Sequence, residues 1–476
     1  MKLEFHPQAG QTLADQLFAA GVEFPCGGES ACGGCKVRLL AGEVPVTATM
    51  RESLSEKEIC DGWRLACRAS AVGRVVVEVE QWSPRVLTDE AEVPIEPRPG
   101  QGAVIDLGTT TLVVQVVDLT SGEVQRVETA LNPQARYGAD VMSRLQHDLR
   151  QPGDLGRLIR QSLAGMLGVE PLREVVVAGN TAMHHLFCGL NVEPLTRAPF
   201  ASPTLGGYRF ENSHLGWPGT VEFLPCLGGF VGSDVLCGIV ATRLDEQTRP
   251  CAVFDIGTNG EVVVGSAQGL VCASTAAGPA LEGGRIDMGM RAGTGAIDSV
   301  HVRDGGLVCH VIGGGPARGI CGSGLVDAAA CGVELGLIGA NGRITTANKR
   351  LPLAEGVSLS QSDIRELQLA KGAMAASLRM LASGGVAKLY LAGAFGNYIR
   401  QTSARTIGIL PEDLTVEPVG NSALRGARSL LLTPSTRQAR LRKIAALSRH
   451  VELAADPDFQ YLYAEMMALA RYRLNS

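Results

Sequence analysis

Several common signals are missing from this chain. Aromatic side chains make up only 4% of it, so any large core must be aliphatic. No apolar run reaches the ~18 residues that cross a bilayer, and a membrane span is not expected. The opening residues MKLEFHPQAG hold no apolar stretch after their single lysine, so no secretory signal is expected either. No block of basic residues stands out and the net charge is −5, which argues against a nucleic-acid partner. There is no Walker A motif and no Rossmann fingerprint after a strand. The glycine-rich run GGGPARG at 313–319 lacks the Lys-Ser/Thr ending of a P-loop. Glycine, by contrast, is abundant at 59 residues, and apolar residues make up 45%, spread throughout. That combination suits an ordered protein with many tight turns, such as a nucleotide-binding α/β fold. Thirteen cysteines without an export signal point to thiols or metal ligands in a reducing, cytoplasmic setting.

Residues 1–82 read as one small module. KLEFH alternates like a strand, TLADQLFAA places Leu13, Leu17 and Phe18 on one helical face, and residues 36–40 and 74–79 are further strands. The long loop before the second strand supplies Cys26, Cys32 and Cys35 in a C-x5-C-x2-C spacing, and Cys67 follows in RLACRAS. An iron–sulfur cluster needs four converging thiolates, and Gly27, Gly28, Gly33 and Gly34 let the loop wrap tightly with its N–H groups turned inward. The pattern favours a [2Fe–2S] cluster on a β-grasp ferredoxin module. A four-cysteine zinc site is the plainer alternative, and Cys60 is a rival fourth ligand. CGGESACGGCK with its later LAC resembles the [2Fe–2S] domains of plant-type and adrenodoxin-like ferredoxins, the spacing being closer to the latter. The other nine cysteines have no ligand spacing and read as small buried hydrophobes.

Residues 83–101, with four prolines, read as a linker. The large module opens with AVIDLGTTTLVVQVVDL, a strand ending in Asp106, a turn of Gly108, Thr109 and Thr110, and a returning strand. About 150 residues on, CAVFDIGTNGEVVVGS repeats the plan with Asp255, Gly257, Thr258 and Asn259. Glycine lets the backbone approach phosphate, threonine hydroxyls donate to it, and a carboxylate at the strand end serves hydrated Mg²⁺ or the attacking water. KLYLAGAFGNY adds a strand followed by Gly393 and Gly396, small enough to lie against adenosine, and VVVAGNT is a similar strand-then-glycine element. Together these predict the two-lobed actin-like ATPase fold, a duplicated ribonuclease H-like α/β body. Its lobes would be 102–246 and 247–435, followed by a helix–loop–helix tail at 436–476. His184 and His185 are adjacent on a helix, point about 100° apart, and read as packing residues.

A ferredoxin fused to an actin-like ATPase resembles one family, the reductive activators of corrinoid proteins, or ASKHA-domain ferredoxins. The stretches that carry the resemblance are CGGESACGGC, DLGTTT, LNPQARYGADVMSR, VVAGNTAMHHLFCG, DIGTNGE, AGPALEGG, GICGSGLVD and LAGAFGNYI. It implies an ATP-hydrolysing enzyme that returns an oxidised Co(II) corrinoid to Co(I), in a corrinoid protein or cobalamin-dependent methyltransferase. Cys26, Cys32, Cys35 and Cys67 would hold the cluster, and Asp106 and Asp255 would serve Mg²⁺ and water. Gly108, Thr109, Thr110, Gly257, Thr258 and Asn259 would hold phosphate, with Gly393 and Gly396 beside the adenosine. Asn180 would assist near the nucleotide, and Glu282, Gly283 and Gly284 would shape the nucleotide or partner surface. An upstream low-potential electron donor is also implied. Longer members carry a middle domain associated with dimer formation; only the linker is expected here, leaving the oligomeric state open. The runner-up reading is an ATP-dependent electron donor to another enzyme, similar to 2-hydroxyacyl-CoA dehydratase activators, which use a [4Fe–4S] cluster and no ferredoxin domain. A kinase with a fused cluster would need a catalytic base and sugar pocket that the sequence does not show.

Overall fold

The computed structural model describes residues 2–7, 13–19, 35–71, 73–79, 93–138, 140–210, 215–217, 219–257 and 259–475. In the N-terminal module, strands Lys2–Phe5, Val75–Glu78, Lys36–Ala41 and Trp63–Leu65 form one sheet in that spatial order. Alternation decides which side chains turn inward: Val75 and Val77 are fully buried while the residues between them are not. Leu13 and Leu17, one helical turn apart on Leu13–Ala19, cover that face together with Met50 and Leu65. A short helix, Glu56–Cys60, begins with a reciprocal cap between Ser55 and Glu58.

Among the described residues, the rest of the chain builds two six-stranded sheets on one plan, with a three-stranded and a two-stranded sheet besides. The first runs Val124–Leu131, Thr111–Asp118, Gln101–Leu107, Leu172–Gly179, Thr220–Phe223 and Tyr208–Phe210. The second runs Val416–Gly420, Leu389–Ala392, Cys251–Ile256, Gly260–Ser266, Gly269–Thr275 and Ser448–His450. In each, an antiparallel hairpin and a third antiparallel strand are followed by two parallel strands on the hairpin's other flank. The sequence repeat is thus a repeat of sheet order. The apolar runs of the central strands are buried on both faces, as covered parallel strands require.

Two helices, Ser233–Thr242 and Ser422–Leu432, join the lobes. They approach so closely that a Cβ on Gly426 would lie 2.0 Å from the carbonyl oxygen of Cys237, so only glycine allows the crossing. Around them a single apolar cluster unites Val104 and Val176 of the first sheet with Val253 and Val263 of the second, through Leu236, Leu424 and Leu430. Part of the segment read as a linker lies on this body. Val93 and Ile95 pack on the shared cluster, the Glu96 N–H donates to Leu432, and Arg98 donates to the Leu431 carbonyl.

The tail forms helices Pro434–Leu447 and Pro457–Met466, with strand Ser448–His450 between them pairing in parallel with Gly269–Thr275. The loop expected between the two helices therefore contributes a sheet strand. Arg437 anchors the first helix; its guanidinium is buried and donates to both Glu174 and Glu222 on neighbouring strands of the first sheet. Among the described residues, no helix is long and apolar enough to cross a membrane.

Candidate nucleotide cleft and cluster site

The turns of the two repeated hairpins are closed by the same kind of bond. The Gly108 N–H donates to the Thr111 carbonyl at 3.1 Å, and the Gly257 N–H to the Asn259 carbonyl at 3.0 Å. The segment that follows the first sheet's third strand grips the first turn from behind. Asn132 takes the Thr110 carbonyl with its N–H and the Gly108 carbonyl with Nδ2, both at 2.9 Å. Arg144, buried on helix Val141–Arg150, donates to the Thr109 carbonyl at 2.6 Å. Asn180 caps helix Thr181–Cys188 with Oδ1 and donates to the Thr109 hydroxyl at 2.8 Å with Nδ2. From the other lobe, Glu282 accepts a bond from the Thr110 hydroxyl at 3.4 Å.

Four carboxyls gather where the lobes meet. Asp106 ends the first hairpin's leading strand, and Asp255 ends the second's. Glu261 is the cross-strand partner of Asp255. Asp234 sits in the first turn of the joining helix, whose position is fixed by Ser233: its hydroxyl bonds both the N–H and the carbonyl of Gly179 at 3.0 Å. Burial raises the pKa of all four, to about 6 for Asp106 and about 7 for both Asp234 and Asp255, and well above the usual range for Glu261. Mutual repulsion adds to this: Asp106 bears on Asp255, both bear on Asp234, and Asp234 and Asp255 bear on Glu261. The Nδ2 of Asn421, 2.9 Å from Asp106 Oδ2, partly offsets the burial of that carboxylate. Such a group is short of positive charge. Among the described residues no three of His, Cys, Asp and Glu converge as a direct metal cage.

Gly393 lies against this group. Its φ is +88° and a Cβ there would stand 2.5 Å from Asp255 Oδ1, so its lack of a side chain makes room for the carboxylate. Gly396 is buried and turns to Leu391 within the lobe instead. Gly283 is left-handed, with Met290 closed over it. Thr258, Cys26 and Cys32 lie outside the described residues. His184 and His185 are fully buried: the first packs edge-on to Phe223, and the second bonds the Thr181 carbonyl and Ser202. Of the residues expected at the nucleotide, the structure brings Asp106, Gly108, Thr109, Thr110, Asp255 and Gly393 to one cleft. Asp234, Glu261, Asn421, Asn132 and Arg144 were not anticipated. Glu261 could have been found: strict pairing across the DIGTNGE hairpin puts it opposite Asp255. Asp234 and Asn421 carry no motif.

In the N-terminal module, the sulfurs of Cys35 and Cys67 lie 3.3 Å apart. The Ala66 N–H donates to the Cys35 carbonyl at 2.8 Å, and strands Lys36–Ala41 and Trp63–Leu65 pair so that the two cysteines leave the sheet side by side. Cys60 is exposed on its helix. A pair of close, partly buried thiols fits two ligands of a four-cysteine cluster.

A ferredoxin module joined to a two-lobed ASKHA body defines the class: an iron–sulfur protein that uses ATP. Comparison with known proteins narrows it. Residues 2–72 match a family model for the 2Fe-2S iron-sulfur cluster binding domain, 101–247 one for the RACo middle region, and 249–476 one for the C-terminal, ASKHA domain of RACo. The chain is 34% identical over 418 residues to the corrinoid activation enzyme RamQ of Eubacterium limosum, covering 77% of this chain and 70% of that one. It is 27% identical over 416 residues to the [Co(II) methylated amine-specific corrinoid protein] reductase of Methanosarcina barkeri, covering 76% of each. A solved reductive activator for a corrinoid, iron-sulfur protein superposes with a TM-score of 0.68 at 26% identity over 98% of both chains. The chain belongs to the family of reductive activators of corrinoid proteins. The match at 101–247 bears on the middle domain expected to be missing: what that model calls the middle region is, in this chain, the sheet that carries Asp106 and the first phosphate turn.

Proposed function

We propose that this protein couples ATP hydrolysis to one-electron reduction of a protein-bound corrinoid from Co(II) to Co(I). The observation that carries the proposal is the pairing, in one chain of this family, of the close Cys35–Cys67 pair with an interlobe cleft floored by buried carboxyls. Cys26, Cys32, Cys35 and Cys67 hold the [2Fe–2S] cluster, which supplies the electron. Asp106, Asp234, Asp255 and Glu261 would hold hydrated Mg²⁺ and orient water, with Asp106 serving in its ionised form. Gly108, Thr109, Thr110, Gly257, Thr258 and Asn259 receive the phosphates, and Gly393 keeps Asp255 clear beneath them.

Free energy explains why two sites are needed. Plant-type clusters sit near about −400 mV, and every ~59 mV of adverse difference costs tenfold in a one-electron equilibrium. ATP binding and hydrolysis between hinged lobes change the complex with the corrinoid protein and so make the transfer productive. An external low-potential donor would be needed to supply that electron.

The test is anaerobic. Mix the cluster-loaded protein, a reductant, Mg²⁺–ATP and purified Co(II) corrinoid proteins, and follow the Co(I) absorption band. The band is expected with ATP and not without it. ATP-independent reduction, or no Co(I) with any corrinoid protein, overturns the proposal.

A further inference from the structure

The glycine-rich run at 313–319 has no part in the nucleotide site, yet it holds one residue in a defined place. The Arg318 N–H donates to the Gly295 carbonyl at 2.8 Å, and the arginine stem lies where a Cβ on Gly295 would be, 2.6 Å from Arg318 Cδ. The guanidinium stands 4.9 Å over the ring of Trp63, which belongs to the ferredoxin module and opens the short strand that leads to Cys67. Glu78, also of that module, is the negative charge Arg318 feels. A second contact comes from the other lobe: Ala135, on the 3-10 turn Pro133–Arg136, packs against the ferredoxin core.

Both contacts lead back to the cleft. The segment that carries Ala135 holds all three carbonyls of the first phosphate turn: Asn132 takes those of Gly108 and Thr110, and Arg144 takes that of Thr109 while also bonding Gly138 at 3.0 Å. On the other side, Ile320, two residues past Arg318, accepts from the N–H of Met290, which closes over Gly283, the neighbour of Glu282. Thr110 and Glu282 are themselves bonded across the lobes.

We propose that the ferredoxin module is a clamp seated across both lobes by Trp63–Arg318 and Ala135, and that nucleotide entering the cleft unseats it. This rests on the nucleotide reading given above. A rigid module touching both lobes fits only one lobe spacing. Phosphate oxygens compete for the Thr110 hydroxyl and repel the Glu282 carboxylate, so one bond that ties the lobes together at that spacing is lost when nucleotide binds. The unseated module is then free to carry its electron to the corrinoid protein. Linkage requires the converse with equal strength: weakening the seat must tighten nucleotide binding by the same factor.

The experiment uses the full-length, cluster-loaded chain. Titrate the non-hydrolysable analogue AMPPNP with Mg²⁺ into the wild type, Arg318→Ala, Arg318→Lys and Trp63→Ala, checking each variant by its cluster spectrum. Removing a cation–π contact should lower the dissociation constant by about two- to thirtyfold in Arg318→Ala and Trp63→Ala, with Arg318→Lys between. In the wild type, AMPPNP should speed hydrogen exchange at residues 63–67 and 133–138. Unchanged or weakened affinity in both alanine variants, or nucleotide-induced protection of those amides, overturns the clamp while leaving the nucleotide reading intact. Failure of AMPPNP to bind the wild type removes that reading and the clamp with it.

Discussion

Replacing Asn421 with alanine tests the charge balance of the cleft. Asn421 does two things at once: Oδ1 caps helix Ser422–Leu432 through the Leu424 N–H at 2.9 Å, and Nδ2 donates to Asp106 at 2.9 Å. Losing the cap costs about 1 kcal/mol of stability. A hydrogen bond to a charged group is worth about 1.5–3 kcal/mol, and one pH unit is about 1.4 kcal/mol, so losing the donor should raise the Asp106 pKa by about one to two units from its value of about 6. The sign follows from the bond favouring the ionised form. Mg²⁺–nucleotide binding, which requires that form, should begin to weaken on the acid side at a pH higher by the same one to two units. Asn421→Ser separates the two roles, since serine keeps the cap and cannot span to Asp106. Both variants should therefore shift the pH profile of the dissociation constant, while only the alanine variant loses cap stability in urea. If Asn421→Ala leaves the profile where it was, Asp106 is not the titrating group and the reasoning fails.

Cys67→Ser should abolish the visible absorption and the reduced EPR signal of the cluster, whereas Cys60→Ser should leave both, because only Cys67 lies beside Cys35. Arg437→Ala leaves Glu222 buried with only the Gln438 amide, while Glu174 keeps its pair with Arg98, and should cost about 3 kcal/mol in urea unfolding. Lys371 is buried on helix Gln361–Leu381, donates to the Ala468 carbonyl at 2.7 Å, and burial lowers its pKa from 10.5 to about 7. Between those values the unfolded chain holds a proton that the folded chain lacks, so wild-type stability should gain up to about 1.4 kcal/mol per pH unit from this group as pH rises from 7 to 10.5. Lys371→Met should remove that slope, as measured by denaturant midpoints across the range.

Much of this site was legible because two of its signals are local. Three of the four expected cluster cysteines sit in one loop, and each phosphate turn is a strand, a carboxylate and a glycine within a few residues. The duplicated plan followed from the repeat, and the sheets bear it out in their strand order. What escaped reading is held by long-range geometry. Asp234 reaches the cleft because Ser233 ties its helix to Gly179, and nothing in GSDVLCG announces that bond. Arg144 lay inside a stretch that carried the family resemblance, but only the folded chain aims it at the Thr109 carbonyl. Strand Ser448–His450 is too short to show a period, and it forms because the sheet edge at Gly269–Thr275 offers it partners.

The bond between Asn421 and Asp106 spans 315 residues, and that separation has a consequence for how the protein is made. At about 5–20 residues per second, a ribosome that has finished the first hairpin needs on the order of 15–60 s more before Asn421 is added. Over that interval the first sheet can pair its strands, but Val104 and Val176 still lack the cover that Leu424 and Leu430 will bring. The nascent first lobe thus carries a bare aliphatic face for most of its synthesis. Chains stalled or truncated before residue 420 are expected to engage chaperones or aggregate rather than accumulate as a free lobe. The nucleotide cleft comes into being only when the last tenth or so of the chain closes on the part made first.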